Sequence, residues 1–434
     1  DPIHIPSHGV FVRCAADPAT DRAELRVEVE VANTTAEDRT AVVEVAICDP
    51  EGRRVAEASA PVAVPAGATA TAAPAVVLTA PAWWSLETPR LYSAGCRVRE
   101  GAALRDEETV AFGVRSIRFD PDRGFLLNER PVKLKGVCCH QDHAGVGSAL
   151  PDRVHEFRIE RLKAMGCNAY RTAHHPPAPE LLEACDRLGM LVMDETRVMG
   201  TAPEYRDRLI DLVRRDRNHP SVILWSIGNE EVHLQGRPMG ARIAEEMKRW
   251  VRRWDPTRPV TLAMNGAWGE GASNVIDVLG CNYIVCGDID AFHRDHPRQP
   301  VVFSESASAL TTRGIYEADP QRGYVSAYDV NAANWGHTHE ANWRHCSARP
   351  FVAGTFIWTG FDYRGEPTPY YDWPNISSHF GILDTCGFAK DCFYYYQAWW
   401  SDQEVLHLFP HWNWPGREGQ PIEVWAYANG DEVE

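Results

Sequence analysis

No stretch of this 434-residue chain stays apolar long enough to cross a bilayer as a helix, which takes about 20 residues. A basic stripe is missing too: 60 acidic residues against 44 basic ones leave a net charge of −16. A chain of that sign repels nucleic acid and anionic lipid, so neither is expected as a partner. CxxC does not occur, and the 12 cysteines are scattered, several (Cys138, Cys139, Cys167, Cys281) inside apolar strand patterns. That favours reduced cysteines packed as small hydrophobes over a disulfide framework or a zinc site. His140 and His143 flank Asp142, but without cysteine or further histidine at ligand spacing they read as a polar loop lining a pocket. No metal and no other cofactor is expected. The chain opens on Asp1-Pro2 and not on a signal peptide, which leaves a periplasmic, secreted or cytoplasmic place open.

What is present is a change of period along the chain. Over residues 1–117, Ala23 to Val31, Ala41 to Ile47, Val55 to Val64 and Ala70 to Leu78 alternate apolar with polar, punctuated by Pro and Gly. This predicts an antiparallel, immunoglobulin-like β-sandwich. From residue 118 to 402 the pattern becomes strand, helix, strand, helix. Apolar strands are expected at Val132 to Cys139, Cys167 to Thr172, Met190 to Asp194, Val222 to Ile227, Pro259 to Met264, Val278 to Tyr283, Val301 to Ser304 and Val352 to Trp358. Eight is the number that closes a (β/α)8 barrel, and Val154 to Met165, Pro179 to Leu188 and Ile243 to Trp254 carry helical spacing between them. Residues 309–350 form a long connection, a length at which loops usually carry function. Residues 403–434 read as the start of a further β-domain, with strands at Val405 to Leu408 and Ile422 to Tyr427, too few to stand alone.

The strand ends carry the chemistry. The run Val222-Ile223-Leu224-Trp225 leads into Asn229-Glu230, and Val301-Val302-Phe303-Ser304 into Glu305. Active sites of such barrels lie at the carboxyl ends of the strands. Two carboxylates there suit the cleavage of a glycosidic bond, where one acid protonates the leaving oxygen and one carboxylate attacks the sugar carbon, about 5 Å apart in a retaining enzyme. Exposed loop glutamates would be the ordinary alternative, but both end apolar strands in the same register.

Asn168 to Glu195, the segment Arg215-Asp216-Arg217-Asn218-His219-Pro220-Ser221 running into Asn229-Glu230, and Phe356 to Thr368 (FIWTGFDYRGEPT) resemble glycoside hydrolase family 2, in its bacterial β-galactosidase-like branch. The resemblance implies Glu230 as general acid/base and Glu305 as nucleophile of a retaining exo-glycosidase acting on terminal β-galactosides. It further implies that Asn229 bonds the sugar 2-hydroxyl and that Arg171 helps hold the nucleophile ionised. His174 would bind the sugar, Tyr283 donate to the nucleophile (a core tyrosine being the alternative), and Trp358 form the aromatic floor. His140, Asp142 and His143 are expected to line the pocket, and Asp194-Glu195 to support it. The magnesium ligand of some members has no counterpart in Thr196-Arg197-Val198-Met199, and the histidine that some galactosidases carry after the nucleophile is absent from Ser306-Ala307-Ser308. β-Glucuronidase and β-mannosidase are the alternatives within the family. Family glucuronidases use an Asn-x-Lys motif for the sugar carboxylate, and none occurs here. A non-catalytic carbohydrate-binding protein is the alternative outside it. The partner expected is a carbohydrate substrate, with a homo-oligomer compatible. The chain reads as cut at both ends from a longer protein, and such a piece is expected to bind substrate weakly.

Overall fold

The computed structural model describes residues 1–432. Two sheets share the first apolar core. In one, the central strand Arg22–Asn33 pairs antiparallel with Ile3–His4, Val10–Asp17, Thr69–Ala72 and Ala75–Thr79. The other runs in the order Arg54–Val64, Arg39–Cys48, Tyr92–Glu100, Ala103–Phe112. The alternation that predicted the sandwich is what fills it: Ala23, Leu25, Val27, Val29 and Val31 meet Ala41, Val43, Val45 and Ile47 in one buried cluster, while residues between them face out. Ala70 to Leu78 is two strands and not one. The break falls at Ala73-Pro74, where proline has no N–H to give the ladder and its carbonyl instead accepts from Val27.

A small sheet of Ile117–Asp120, Gly124–Leu127 and Arg130–Pro131 leads into the second domain. Its Phe125 and Leu127 join Leu134, Leu191, Val278 and Val302 in the interior cluster of the barrel that follows. Eight parallel strands close that barrel: β1 (Leu134–Cys139), β2 (Ala169–Thr172), β3 (Leu191–Glu195), β4 (Val222–Asn229), β5 (Val260–Met264), β6 (Val278–Asn282), β7 (Val301–Ala307) and β8 (Val352–Trp358), with β8 pairing back onto β1. Every one of these strands is buried on both faces or nearly so, as a sheet wrapped by helices requires. The helices are α1 (Asp152–Ala164), α2 (Pro179–Leu188), α3 (Pro203–Asp216), α4 (Pro238–Trp254), α5 (Ile289–Asp295), α6 (His339–Ser347) and α7 (Asp391–Trp400). Beyond α7, Leu406–Phe409 and Trp425–Ala428 pair as an antiparallel ribbon. All 12 cysteines are free, and eight are buried.

Two boundaries move in ways that matter. β7 does not stop at Ser304 but runs to Ala307, and β4 runs to Asn229. Irregular register against both neighbours lets β7 continue past Glu305, so Glu305 projects from within the strand.

The sandwich is tied to the amino-terminal side of the barrel. Trp84, fully buried, donates its indole N–H to the Asp186 carbonyl at 2.9 Å. Asn218 accepts from Val12 N–H and donates to the Val10 carbonyl, both at 2.9 Å, and Arg214 pairs with Glu30 at 2.9 Å. At the same junction Gly189 ends α2 in the left-handed region (φ 72°), and a Cβ there would stand 2.4 Å from the Leu86 carbonyl oxygen. Gly189→Ala is therefore expected to lower unfolding free energy by about 2 kcal/mol or more, from left-handed strain plus the backbone clash. A denaturant midpoint unchanged from wild type would refute this.

Candidate active site

The carboxyl ends of β2, β4, β5, β6, β7 and β8 converge on one cavity of about 410 Å³, lined by His174, Asn229, Glu230, Asn265, Tyr283, Cys286, Glu305, Trp335, Trp358 and Glu366. The two carboxylates stand in different surroundings. Glu305, within β7, accepts from Arg171 Nη1 at 2.9 Å through Oε2 and from the Tyr283 hydroxyl at 2.6 Å through Oε1. Ser308 in turn donates to the Tyr283 oxygen at 3.0 Å, and the Trp335 indole donates to Ser308 at 3.3 Å. Glu230, just past β4, accepts from Asn282 Nδ2 at 2.9 Å. Burial, and after it the neighbouring charge of Glu305, lifts the Glu230 carboxyl above its ordinary value, against the Asn282 hydrogen bond. Both Glu230 (φ 53°) and Tyr283 (φ 59°) lie in the left-handed region, a conformation costing about 1–2 kcal/mol for a residue with a Cβ and one that gathers at functional sites.

Arg171 organises the floor. Completely buried, it sends Nε and Nη2 to Glu195 at 2.9 and 2.8 Å, Nη1 to the Ser304 carbonyl and to Glu305, and Nη2 to Asn229 Oδ1 at 2.8 Å. Asn282 also donates to Asn229 Oδ1, at 3.1 Å, which leaves the Asn229 amide nitrogen as the donor for a ligand. Glu195 accepts from Ser226 Oγ at 2.7 Å and contacts His174 Nδ1 at 2.7 Å. Its burial pushes the carboxyl up, but Arg171 and then His174 and Ser226 outweigh that and hold it below the usual carboxylate range. His174 stacks on Trp358, ring centroids 5.2 Å apart and planes within 13°.

Of the residues expected at the site, Glu230, Glu305, Asn229, His174, Tyr283 and Trp358 line the cavity, and Arg171 lies immediately beneath it. His140 and Asp142 do not line it. His140 is wedged behind the wall, edge-on to His174 and Trp358 and 4.4 Å from the Tyr363 ring. Burial, then the neighbouring His174 and His175, pushes it down to about 3, so it is a neutral packing group. The Asp142 carboxylate accepts from Arg364 N–H at 3.1 Å, holding the loop after β8. His143 is likewise outside the lining, its ring edge-on to Phe157. Asp194 points away from Glu195: burial and the adjacent Asp216 push it well above the carboxylate range. Asn265, Asn282, Cys286, Trp335 and Glu366 join the site without having been singled out. Asn282 carried a signal, an amide at a strand end beside Tyr283; Trp335 had none beyond its place in the long connection. Among the described residues, no group of three or more His, Cys, Asp or Glu is placed to hold a metal ion.

A sandwich feeding a closed (β/α)8 barrel, with two glutamates from separate strands meeting at its carboxyl face, is an arrangement that fits the glycoside hydrolase class. The chain belongs to glycosyl hydrolase family 2: residues 121–371 match the model for the TIM barrel domain of that family and residues 3–115 match a second model of it. It is 37% identical to a β-galactosidase (BoGH2A) of Bacteroides ovatus, covering 100% of this chain and 58% of that protein. It is 29% identical to a β-glucuronidase of Bacteroides fragilis over 93% of this chain and 61% of the other. A β-glycosidase structure from Bacteroides vulgatus superposes with a TM-score of 0.86 at 29% identity, covering 99% of this chain and 59% of that one. The chain thus spans a little under two thirds of the length of these relatives.

Proposed function

We propose that this barrel is the catalytic centre of a retaining exo-β-glycosidase whose substrate is a terminal β-galactoside. What supports the reading is the contrast between the two glutamates in one cavity. Glu230 is lifted by burial and by Glu305 toward the protonated form, which a general acid needs, whereas both oxygens of Glu305 are aimed by Arg171 and Tyr283. In the first step Glu305 attacks the anomeric carbon as Glu230 gives its proton to the departing oxygen. In the second, Glu230 takes a proton from water, which displaces Glu305 from the opposite face. Asn229 donates to the sugar 2-hydroxyl through its free amide nitrogen. Trp358, with His174 stacked on it, offers the pyranose an apolar face.

β-Glucuronidase is the second reading, favoured by relatives of that name. Against it, among the described residues no lysine or arginine lines the cavity while three glutamates do, so the carboxylate of a uronic acid would enter beside like charge with no lysine or arginine to pair with. A panel of nitrophenyl β-D-galactoside, glucuronide, glucoside and mannoside decides: the galactoside is expected to give the highest kcat/KM. Proton NMR should show β-galactose as the first product, and α-galactose would overturn the mechanism.

The lifted Glu230 also fixes a pH dependence. Activity requires it protonated, so kcat/KM should fall on the alkaline side at a pH above the ordinary glutamate value of about 4.3. Glu230→Gln, assayed on an activated aryl glycoside that turns over without the proton, should show none of the alkaline limb that the wild type shows on a substrate with a poor leaving group. A limb that persists in the variant would assign it to another group.

A further inference from the structure

The cavity contains a third carboxylate that neither step of the reaction uses. Glu366 stands on the loop after β8, in the segment Tyr363-Arg364-Gly365-Glu366-Pro367, and faces the same space as Glu305 and Trp358. Its placement is built. The Trp358 indole donates to the Tyr363 hydroxyl at 3.2 Å, and that hydroxyl donates to Glu366 Oε2. The residue adopts a left-handed backbone (φ 44°) directly after Gly365, a conformation that a side chain with a Cβ keeps only when its surroundings dictate it. Burial and the charge of Glu305 lift its carboxyl, with the Tyr363 bond opposing them. Its second oxygen, Oε1, has no protein hydrogen bond among the described residues. It stands on the wall formed by Trp358 and His174, where a sugar ring would stack.

We propose that Glu366 is a specificity-determining residue: its free oxygen accepts from hydroxyls of a neutral terminal sugar, and its charge turns away a sugar that carries a carboxylate. The inference rests on the reading above, in which the Trp358 wall holds the sugar that Glu305 attacks. A hydroxyl donating to a carboxylate makes a charge-assisted bond, roughly twice as strong as a neutral one. A uronate at the same place would set two anions side by side where, among the described residues, no lysine or arginine lines the site. Tyr363 and Trp358 act behind it as positioning residues.

Glu366→Gln tests this, because the amide oxygen can still accept from Tyr363 while the charge is lost. Wild type and variant are compared on nitrophenyl β-galactoside and nitrophenyl β-glucuronide, and in equilibrium titrations with galactose and glucuronate, which need no turnover. For the variant, kcat/KM on the galactoside is expected to fall about 10- to 100-fold, the scale of a charge-assisted hydrogen bond. The galactoside-to-glucuronide ratio should fall at least about tenfold, and the galactose-to-glucuronate affinity ratio with it. Tyr363→Phe, which keeps the charge, should lower activity on both substrates and leave the ratio near the wild-type value. Wild type preferring galactoside while the Glu366→Gln ratio is unchanged overturns the role of Glu366 alone. Wild type preferring the glucuronide overturns the galactoside reading and this inference together.

Discussion

Glu305→Gln should abolish hydrolysis of every glycoside, by on the order of ten-thousand-fold or more in kcat, the scale on which a covalent nucleophile is lost. An amide cannot form the glycosyl ester, and no other carboxylate in the cavity can take its place: Glu230 is anchored to Asn282 and Glu366 to Tyr363. The loss must be independent of the leaving group, because bond formation to the sugar precedes every product. Glu230→Gln should behave differently. A poor leaving group such as a sugar alcohol needs its proton and should lose on the order of 100- to 10,000-fold, whereas a dinitrophenolate departs unaided and should lose little in the first step. A structural cost also separates them. Glu305 receives donors on both oxygens, from Arg171 and Tyr283, so the amide nitrogen of glutamine must face one of them. That unmatched donor should cost about 1–3 kcal/mol of stability, a loss that Glu230→Gln, with its single donor Asn282, largely escapes. Equal leaving-group dependence in the two variants would refute the division of roles.

The parts of this protein that could be read from the sequence are those whose signal is local. Each barrel strand is a short apolar run because both of its faces are covered, and Leu25, Val27 and Val29 alternate because one face of a sandwich sheet is not. Glu230 stood out by terminating such a run. Where the reading failed, the cause was three-dimensional or a single atom. Pro74 broke one expected strand through the N–H it lacks. The shift in pairing that carries β7 past Glu305 depends on its neighbours β6 and β8. α6 was hidden in the long connection because its inward face mixes the apolar Trp343 and Cys346 with the polar His339 and Asn342, so it shows no clear apolar period. His140 and Asp142 follow a barrel strand as site residues do, yet the ring of Tyr363 and the backbone of Arg364 occupy them, and both partners are more than two hundred positions away in the chain. Asn282 looks like any strand-end amide until its partners Asn229 and Glu230 come from a different strand.

Arg171→Met should be the most damaging single change to folding as well as to catalysis. The guanidinium pairs with both Glu195 and Glu305, at 2.8 and 2.9 Å, and all three side chains are buried. Removing one partner from a buried ion pair typically costs about 3–5 kcal/mol, because the charge left behind is uncompensated. Here two carboxylates and the Asn229 oxygen lose a donor together. Lysine is no remedy: one ammonium cannot reproduce the fork that reaches Glu195, Glu305, Asn229 and the Ser304 carbonyl at once. The effect must depend on pH, with a sign that identifies its cause. In the wild type Glu195 is held below its unfolded value, so it contributes stability above that value and loses it as pH falls through the depressed one. Without Arg171 the largest remaining influence on Glu195 is burial, which acts in the opposite direction. The folded variant then prefers the protonated acid and loses stability as pH rises. The gap in unfolding free energy between wild type and Arg171→Met should therefore widen from about pH 4 to about pH 7, by about 1.4 kcal/mol for each unit by which the carboxyl has moved. A gap of equal size at both pH values would mean that Arg171 acts through packing alone, and the electrostatic account of the floor of the site would fall with it.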